Sequence, residues 1–262
     1  MQIDNKNPIR EKLKKGGKVS ATWLHSGSHV IAEIVAESGF DVGVVDMEHG
    51  MTELGQLVSQ CMAMKNTPMV PFVRPPWNDF VQIKRILDAG AYGLIVPYVN
   101  TRQDVEMAAR AVQYPRDGNQ GIRGVASSSR AAHWGNKSAD YLGAANNEIF
   151  LFTQVETQAS LDNLDEMLKV DRVDGIFIGP MDLSTCMGHF INPGHEEVQK
   201  TIREVEKKVL GAGKCLATIG SNWEDAEAKY DRGYNLVIYM SDCVTMGQVA
   251  RERAESFKKK FG

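Results

Sequence analysis

The sequence predicts an α/β fold, a single (β/α)8 TIM barrel over residues 1–262. Three observations carry that prediction. Eight short apolar runs alternate with amphipathic stretches along nearly the whole chain. The length suits eight strand–helix units. No Pro/Gly/Ser-rich or highly charged stretch divides the chain as a linker would. A doubly wound open sheet is the structural alternative, because it uses the same alternation.

In order, the apolar runs fall at 19–23, 42–46, 69–73, 93–97, 149–155, 175–178, 215–219 and 236–240. They are short, bounded by polar residues or glycine, and rich in Val, Ile, Leu and Phe, as strands buried on both faces should be. Helical stretches are expected at 29–38, 54–64, 79–89, 105–113, 160–170, 196–210 and 223–232. A last helix at 244–260 closes on Lys258, Lys259 and Lys260, which suit the negative end of its dipole. Within 160–170, Leu161, Leu164, Met167 and Leu168 share one face, so 149–184 reads as strand, helix, strand. A right-handed crossover brings the ends of those two strands to the same side of the sheet. The segment 114–145 is the longest without a clear period; being rich in Gly, Ser, Arg and aromatic residues, it is expected to form a lid or partner-contact loop over the barrel mouth.

Composition excludes several functions. With 43% hydrophobic and 24% charged residues and a net charge of −3, the chain can build a sizeable core and carries no broad basic surface for nucleic acid. No apolar stretch approaches the roughly 20 residues that span a bilayer. Residues 1–17 are polar and Lys/Arg-rich rather than a signal peptide, so a cytoplasmic location is expected. Cys61, Cys186, Cys215 and Cys243 are scattered without a C-x-x-C pair and read as buried thiols rather than as a disulfide framework or zinc knuckle.

In such a barrel, chemistry gathers where the strands end. The second run ends in Asp46-Met47-Glu48-His49-Gly50, the third in Arg74-Pro75-Pro76, the fifth in Gln154 and Glu156, and the sixth in Gly179-Pro180-Met181-Asp182. Glu156 and Asp182 come from neighbouring strands and repel one another unless a cation lies between them; oxygen ligands select a hard divalent ion such as Mg²⁺ or Mn²⁺. His49 has a side chain suited to moving protons near neutral pH, and His25 and His29, after the first strand, could take its place. Arg74 supplies a fixed positive charge for a developing oxyanion. The Gly179-Pro180 turn would expose backbone N–H groups to a carboxylate. No lysine stands at a strand end facing the cavity, which argues against Schiff-base chemistry and for metal chemistry.

The segments V-V-D-M-E-H-G, F-V-R-P-P-W-N-D, Q-V-E-T and G-I-F-I-G-P-M-D-L-S, in this order, resemble the metal-dependent pyruvate aldolases of the HpcH/HpaI family, over nearly the whole chain. The family includes 4-hydroxy-2-oxoheptanedioate and 2-keto-3-deoxy sugar-acid aldolases, among them 2-dehydro-3-deoxyglucarate and 2-keto-3-deoxy-L-rhamnonate aldolases. The resemblance implies reversible retro-aldol cleavage of a 4-hydroxy-2-oxo acid into pyruvate and an aldehyde. It implies that Glu156 and Asp182 hold Mg²⁺, Mn²⁺ or Co²⁺, and that Gln154 with the backbone at Met181 and Asp182 seats the pyruvate unit. It further implies that His49 is the base, Arg74 the enolate-stabilising residue and Asp88 the acid that tunes the histidine. Trp23, Val125 and Ile219 are candidates for shaping the aldehyde pocket. At 181 the family often has a small residue such as Ala, where this chain has Met. A homo-oligomer, trimer or hexamer with exchanged C-terminal helices, is implied as well. The competing readings are a related carbon–carbon lyase acting on a coenzyme A thioester, which a large basic patch would favour, and a catalytically silent metabolite-binding barrel.

Overall fold

The computed structural model describes residues 6–262; the first five residues of the polar amino-terminal stretch lie outside the described residues. Eight strands, β1 (Val19–Leu24), β2 (Val42–Asp46), β3 (Val70–Arg74), β4 (Gly93–Val96), β5 (Phe150–Val155), β6 (Gly175–Ile178), β7 (Cys215–Ile219) and β8 (Leu236–Ser241), pair in parallel in sequence order. β8 closes onto β1, so the sheet is a barrel and not the open alternative. β2 to β6 are buried at every residue, which explains why these segments show no alternation in the sequence.

Large rings fill the barrel interior: Trp23, Phe72, Phe150, Phe152 and Phe177 join Val42, Val44, Ile95, Leu236 and Ile238 in one cluster. Glycine makes room for them. A Cβ on Gly93 would stand 2.5 Å from the Phe72 ring. Leu24, Val45, Val73, Leu94 and Leu151 face outward and pack under the surrounding helices. These are α2 (His29–Ala36), α3 (Leu54–Ala63), α4 (Phe80–Ala89), α5 (Arg102–Ala111), α7 (Gln158–Asp162), α8 (Leu164–Met167), α10 (Glu196–Gly211) and α11 (Trp223–Asp231), preceded by α1 (Pro8–Lys14) and supplemented by α6 (Ser138–Glu148) and α9 (Pro180–Cys186). α12 (Asp242–Phe261) ends the chain, with Val244, Met246, Val249, Phe257 and Phe261 exposed along it.

Several helices differ from the sequence expectation. α1 seals the foot of the barrel by sending Ile9 and Leu13 into the interior cluster; its signal was Asn7 as N-cap followed by Pro8. The helix expected at 160–170 is two short ones divided at Asn163, whose side-chain amide donates to the carbonyls of Asn100 at 3.1 Å and Ala159 at 2.9 Å. Leu164, Met167 and Leu168 are buried as the periodicity required.

The segment at 114–145 is neither structureless nor above the mouth, which corrects the lid expectation. It contains most of α6, and its earlier part packs at the foot, where Arg130 donates to the carbonyls of Ala89 (2.9 Å) and Cys61 (2.8 Å) and Arg123 pairs with Asp88. The thiols divide as well: Cys61 is buried and Cys215 half-buried, whereas Cys186 and Cys243 are exposed.

Candidate active site

Glu156 follows the last residue of β5 and is only 5% exposed. Its Oε1 accepts the Tyr98 backbone N–H at 2.7 Å, and its Oε2 accepts from the side-chain amide of Gln154. Tyr98 donates from a left-handed backbone, φ 53°, a conformation that a bulky residue keeps only when its surroundings hold it; Trp77 stacks on its ring at 5.0 Å. Gly179 must lack a side chain, because a Cβ there would stand 2.8 Å from Glu156 Oε2. Asp182 sits in the first turn of α9. Burial pushes the Glu156 carboxyl above its ordinary range and the charge of Asp182 pushes it further, against the hydrogen bonds from Tyr98 and Gln154.

Asp46 and Arg74 end adjacent strands and are direct partners in the β2–β3 register. Arg74 Nε donates to Asp46 Oδ1 at 2.8 Å and Nη2 to Oδ2 at 2.7 Å, while Nη1 lies 3.2 Å from Glu48 Oε2. Its guanidinium also rests 4.4 Å from the Trp23 ring centre. Burial alone would raise Asp46, but the hydrogen bonds from His25 and Arg74 outweigh it and hold the carboxyl well below the usual range. Glu48 is the opposite case: burial pushes it up to about 7, Arg74 opposes, and the charges of Glu156, Asp46 and Asp182 add to the rise. Four carboxylates therefore influence one another around a single guanidinium.

That imbalance and the all-oxygen donor set fit a divalent cation held by Glu156 and Asp182. Gln154 Oε1 points the same way: it is buried and makes no hydrogen bond within the chain, so it is an acceptor beside Glu156 left for something else.

The remaining candidates fall into two groups. Trp23 is 5% exposed and lies against Arg74, His25 and Phe177; Ile219 ends β7, and Met181 is exposed on α9. These belong to the mouth. His49 does too: it is 66% exposed on the loop after β2, its Nε2 3.8 Å from Glu48 Oε2. Asp88 is not brought to it. α4 begins after β3 and runs back toward the foot, where Asp88 accepts from Arg123 Nη2 at 2.9 Å. Val125, 65% exposed, follows Gly124, which packs on Lys84 of α4, so it stands outside the mouth of its own barrel.

Sequence reasoning passed over Asp46 and Glu48 as acting groups, although D-M-E-H at a strand end was the signal. It could not have found Tyr98, which contributes a backbone N–H, or Ser241, which reaches His25 Nδ1 at 2.9 Å. Another group of side chains suggests a metal by proximity: His189, His195 and Glu197 bring ligand-capable atoms within 4.8 Å of one another. Ring nitrogens of both histidines already serve hydrogen bonds to Glu197. His195 Nδ1 accepts the Glu197 N–H at 3.3 Å, which leaves the proton of a neutral ring on its Nε2, and His189 Nε2 must donate to Glu197 Oε2 at 2.9 Å. The trio caps α10.

Comparison with known proteins places the whole barrel in a family. Residues 20–246 match the family model described as HpcH/HpaI aldolase/citrate lyase. The 4-hydroxy-2-oxo-heptane-1,7-dioate aldolase of Klebsiella pneumoniae subsp. pneumoniae is 38% identical over 252 residues, covering 96% of this chain and 94% of that protein. The enzyme of the same name from Shigella flexneri is 37% identical, covering 96% and 93%. Among solved structures, an HpcH/HpaI aldolase/citrate lyase family protein from Burkholderia cenocepacia J2315 superposes with a TM-score of 0.92 at 29% identity, covering 97% of this chain and 100% of that one. The chain belongs to the HpcH/HpaI aldolase/citrate lyase family.

Proposed function

We propose that this chain is a divalent-metal-dependent aldolase that cleaves a 4-hydroxy-2-oxo acid reversibly into pyruvate and an aldehyde. The observation that carries this reading is the meeting of Glu156, Asp182 and an Asp46-clamped Arg74 at one barrel mouth. The names of the relatives supply the substrate class.

Glu156 and Asp182 would hold Mg²⁺, Mn²⁺ or Co²⁺, which when bound would polarise the ketone of the 2-oxo acid. Gln154 and the backbone at Met181 and Asp182 seat the carboxylate end. His49, whose ring is open to the mouth, takes the proton of the C4 hydroxyl. As the C3–C4 bond opens, its electron pair passes to the enolate oxygen, and return of that proton from His49 to C3 gives pyruvate. Arg74 faces that oxygen already oriented, so it needs no rearrangement as charge develops. Trp23 and Ile219 border the aldehyde.

Asp88 and Val125 fit this scheme only across a subunit boundary, because each lies outside the mouth of its own chain. A homo-oligomer, trimer or hexamer, would bring the α4 face of one subunit to the mouth of the next. The exposed apolar residues of α12 suit a helix exchanged between subunits. Among the described residues no helix is long and apolar enough to cross a membrane, and we place the enzyme in the cytoplasm. Incubation with pyruvate, Mn²⁺ and a panel of aldehydes (succinic semialdehyde, tartronate semialdehyde, lactaldehyde, glyceraldehyde) tests the reading. Metal-dependent aldol adducts are expected, and none with any aldehyde would refute it.

A further inference from the structure

We propose that His25 is a positioning residue that ties the start of α12 to Asp46 and so fixes the orientation of Arg74. The proposal rests on the reading of Arg74 as the residue facing the enolate oxygen.

His25 stands just beyond β1, and neither of its ring nitrogens is open to substrate. Nε2 lies 3.1 Å from Asp46 Oδ2, and Nδ1 lies 2.9 Å from Ser241 Oγ. The directions of these bonds are forced. A carboxylate can only accept, so Nε2 carries the proton and donates to Asp46. In the neutral ring Nδ1 then accepts from the Ser241 hydroxyl. Ser241 is free to donate, because as N-cap of α12 its oxygen uses a lone pair to accept the Val244 N–H. The result is one chain of donors running from the first turn of α12 through Ser241 and His25 to Asp46, where Arg74 donates from the other side.

The backbone is fixed in the same place. Asp242, 6% exposed in the first turn of α12, accepts the N–H groups of His25 at 2.9 Å and Ser26 at 3.1 Å. The β1–β8 pairing shifts register between Ala21 and Trp23, so that Trp23 faces Ser241; a bulge of this kind re-aims side chains beside functional sites. The His25 ring packs on Trp23 at 5.4 Å, and Arg74 lies on the same indole. A helix that otherwise lies largely exposed thereby anchors the carboxylate on which the key cation is aligned.

The test is a double-mutant cycle of His25→Ala and Asp46→Asn, read as Mn²⁺-dependent exchange of pyruvate methyl protons. His25→Ala should lower kcat about 10- to 100-fold through misplacement of Arg74. KM and the Mn²⁺ dissociation constant should stay within about twofold, since Glu156 and Asp182 are untouched. His25→Gln keeps an N–H able to reach Asp46 and should recover most of the loss. The double variant should be no slower than Asp46→Asn alone, because the histidine acts through that carboxylate. Additive losses, or a loss confined to KM, would overturn the proposal. An independent arm needs no turnover: in the metal-free protein at pH 8, ¹⁵N shifts should show the His25 Nε2–H tautomer, and an Nδ1–H tautomer would overturn it. Absence of exchange in the unsubstituted enzyme would count against the aldolase reading, while the tautomer would still decide the role of His25.

Discussion

Asp46 and Arg74, each the last residue of its strand, form a two-pronged ion pair at 2.7 and 2.8 Å with both side chains at least nine-tenths buried. Backbone register makes them neighbours, so the orientation of the guanidinium is set by the sheet itself. Removing Asp46 strips Arg74 of its two-pronged partner and leaves Glu48 as the nearest counter-charge. Asp46→Ala should destabilise the protein by about 3–5 kcal/mol in denaturant unfolding. Arg74→Lys keeps the charge and loses the fork, and should lower turnover roughly 10²-fold with folding largely preserved.

The acid cluster gives the ion-free protein a particular pH dependence. Glu48 titrates near 7 in the fold, chiefly through burial, against about 4.5 for an exposed glutamate. Between those values the folded chain holds a proton on Glu48 that the unfolded chain has released, so the contribution of this group to stability falls as pH rises through this window. Thermal melts of the metal-free protein should give a higher Tm at pH 5.5 than at pH 7.5. A divalent ion favours the ionised acids, so saturating Mn²⁺ should flatten or reverse the trend. A metal-free Tm that climbs steadily from pH 5.5 to 7.5 would contradict the assignment.

His49 presents a ring that is largely in solvent, and its replacement should cost the fold little. His49→Ala is expected to change stability by less than about 0.5 kcal/mol. Exchange of pyruvate methyl protons should slow by about 10²- to 10⁴-fold, the usual span for loss of a positioned proton carrier. Unchanged exchange would remove His49 from that role.

α12 exposes an apolar series that a lone subunit leaves in water, including Phe257 and Phe261, whose rings lie 5.3 Å apart. The paired replacement Phe257→Ser and Phe261→Ser should shift sedimentation toward smaller species at micromolar concentration. An assembly unaffected by the change would place the subunit contacts elsewhere.

The strands were legible because each is a short apolar run cut off by a polar residue, glycine or proline, and β1 to β8 begin and end within one residue of the positions read from the sequence. The placement of Glu156, Asp182, Arg74 and His49 was legible for a related reason, since each stands at or within a few residues of the carboxyl end of a strand. Spatial pairing was not. That Asp46 meets Arg74 follows from strand register, and that Asp88 lies at the foot follows from the direction of α4. α9 was hidden by Gly179-Pro180, which reads as a turn until the seven residues from Pro180 are seen to coil. The segment after α5 concealed α6 because its Gly and Ser content masks a helix of weak amphipathicity.

In the proposed enzyme Glu156 and Asp182 share one cation that also engages the 2-oxo acid. This sharing is tested most directly by titrating Mn²⁺ into the metal-free protein, with electron paramagnetic resonance to count the bound ion and pyruvate added to perturb its signal. One pyruvate-responsive Mn²⁺ per chain is expected, with affinity at least about 100-fold weaker in Glu156→Gln and in Asp182→Asn. Stoichiometric, pyruvate-responsive binding that survives the combined Glu156→Gln and Asp182→Asn replacement would contradict it.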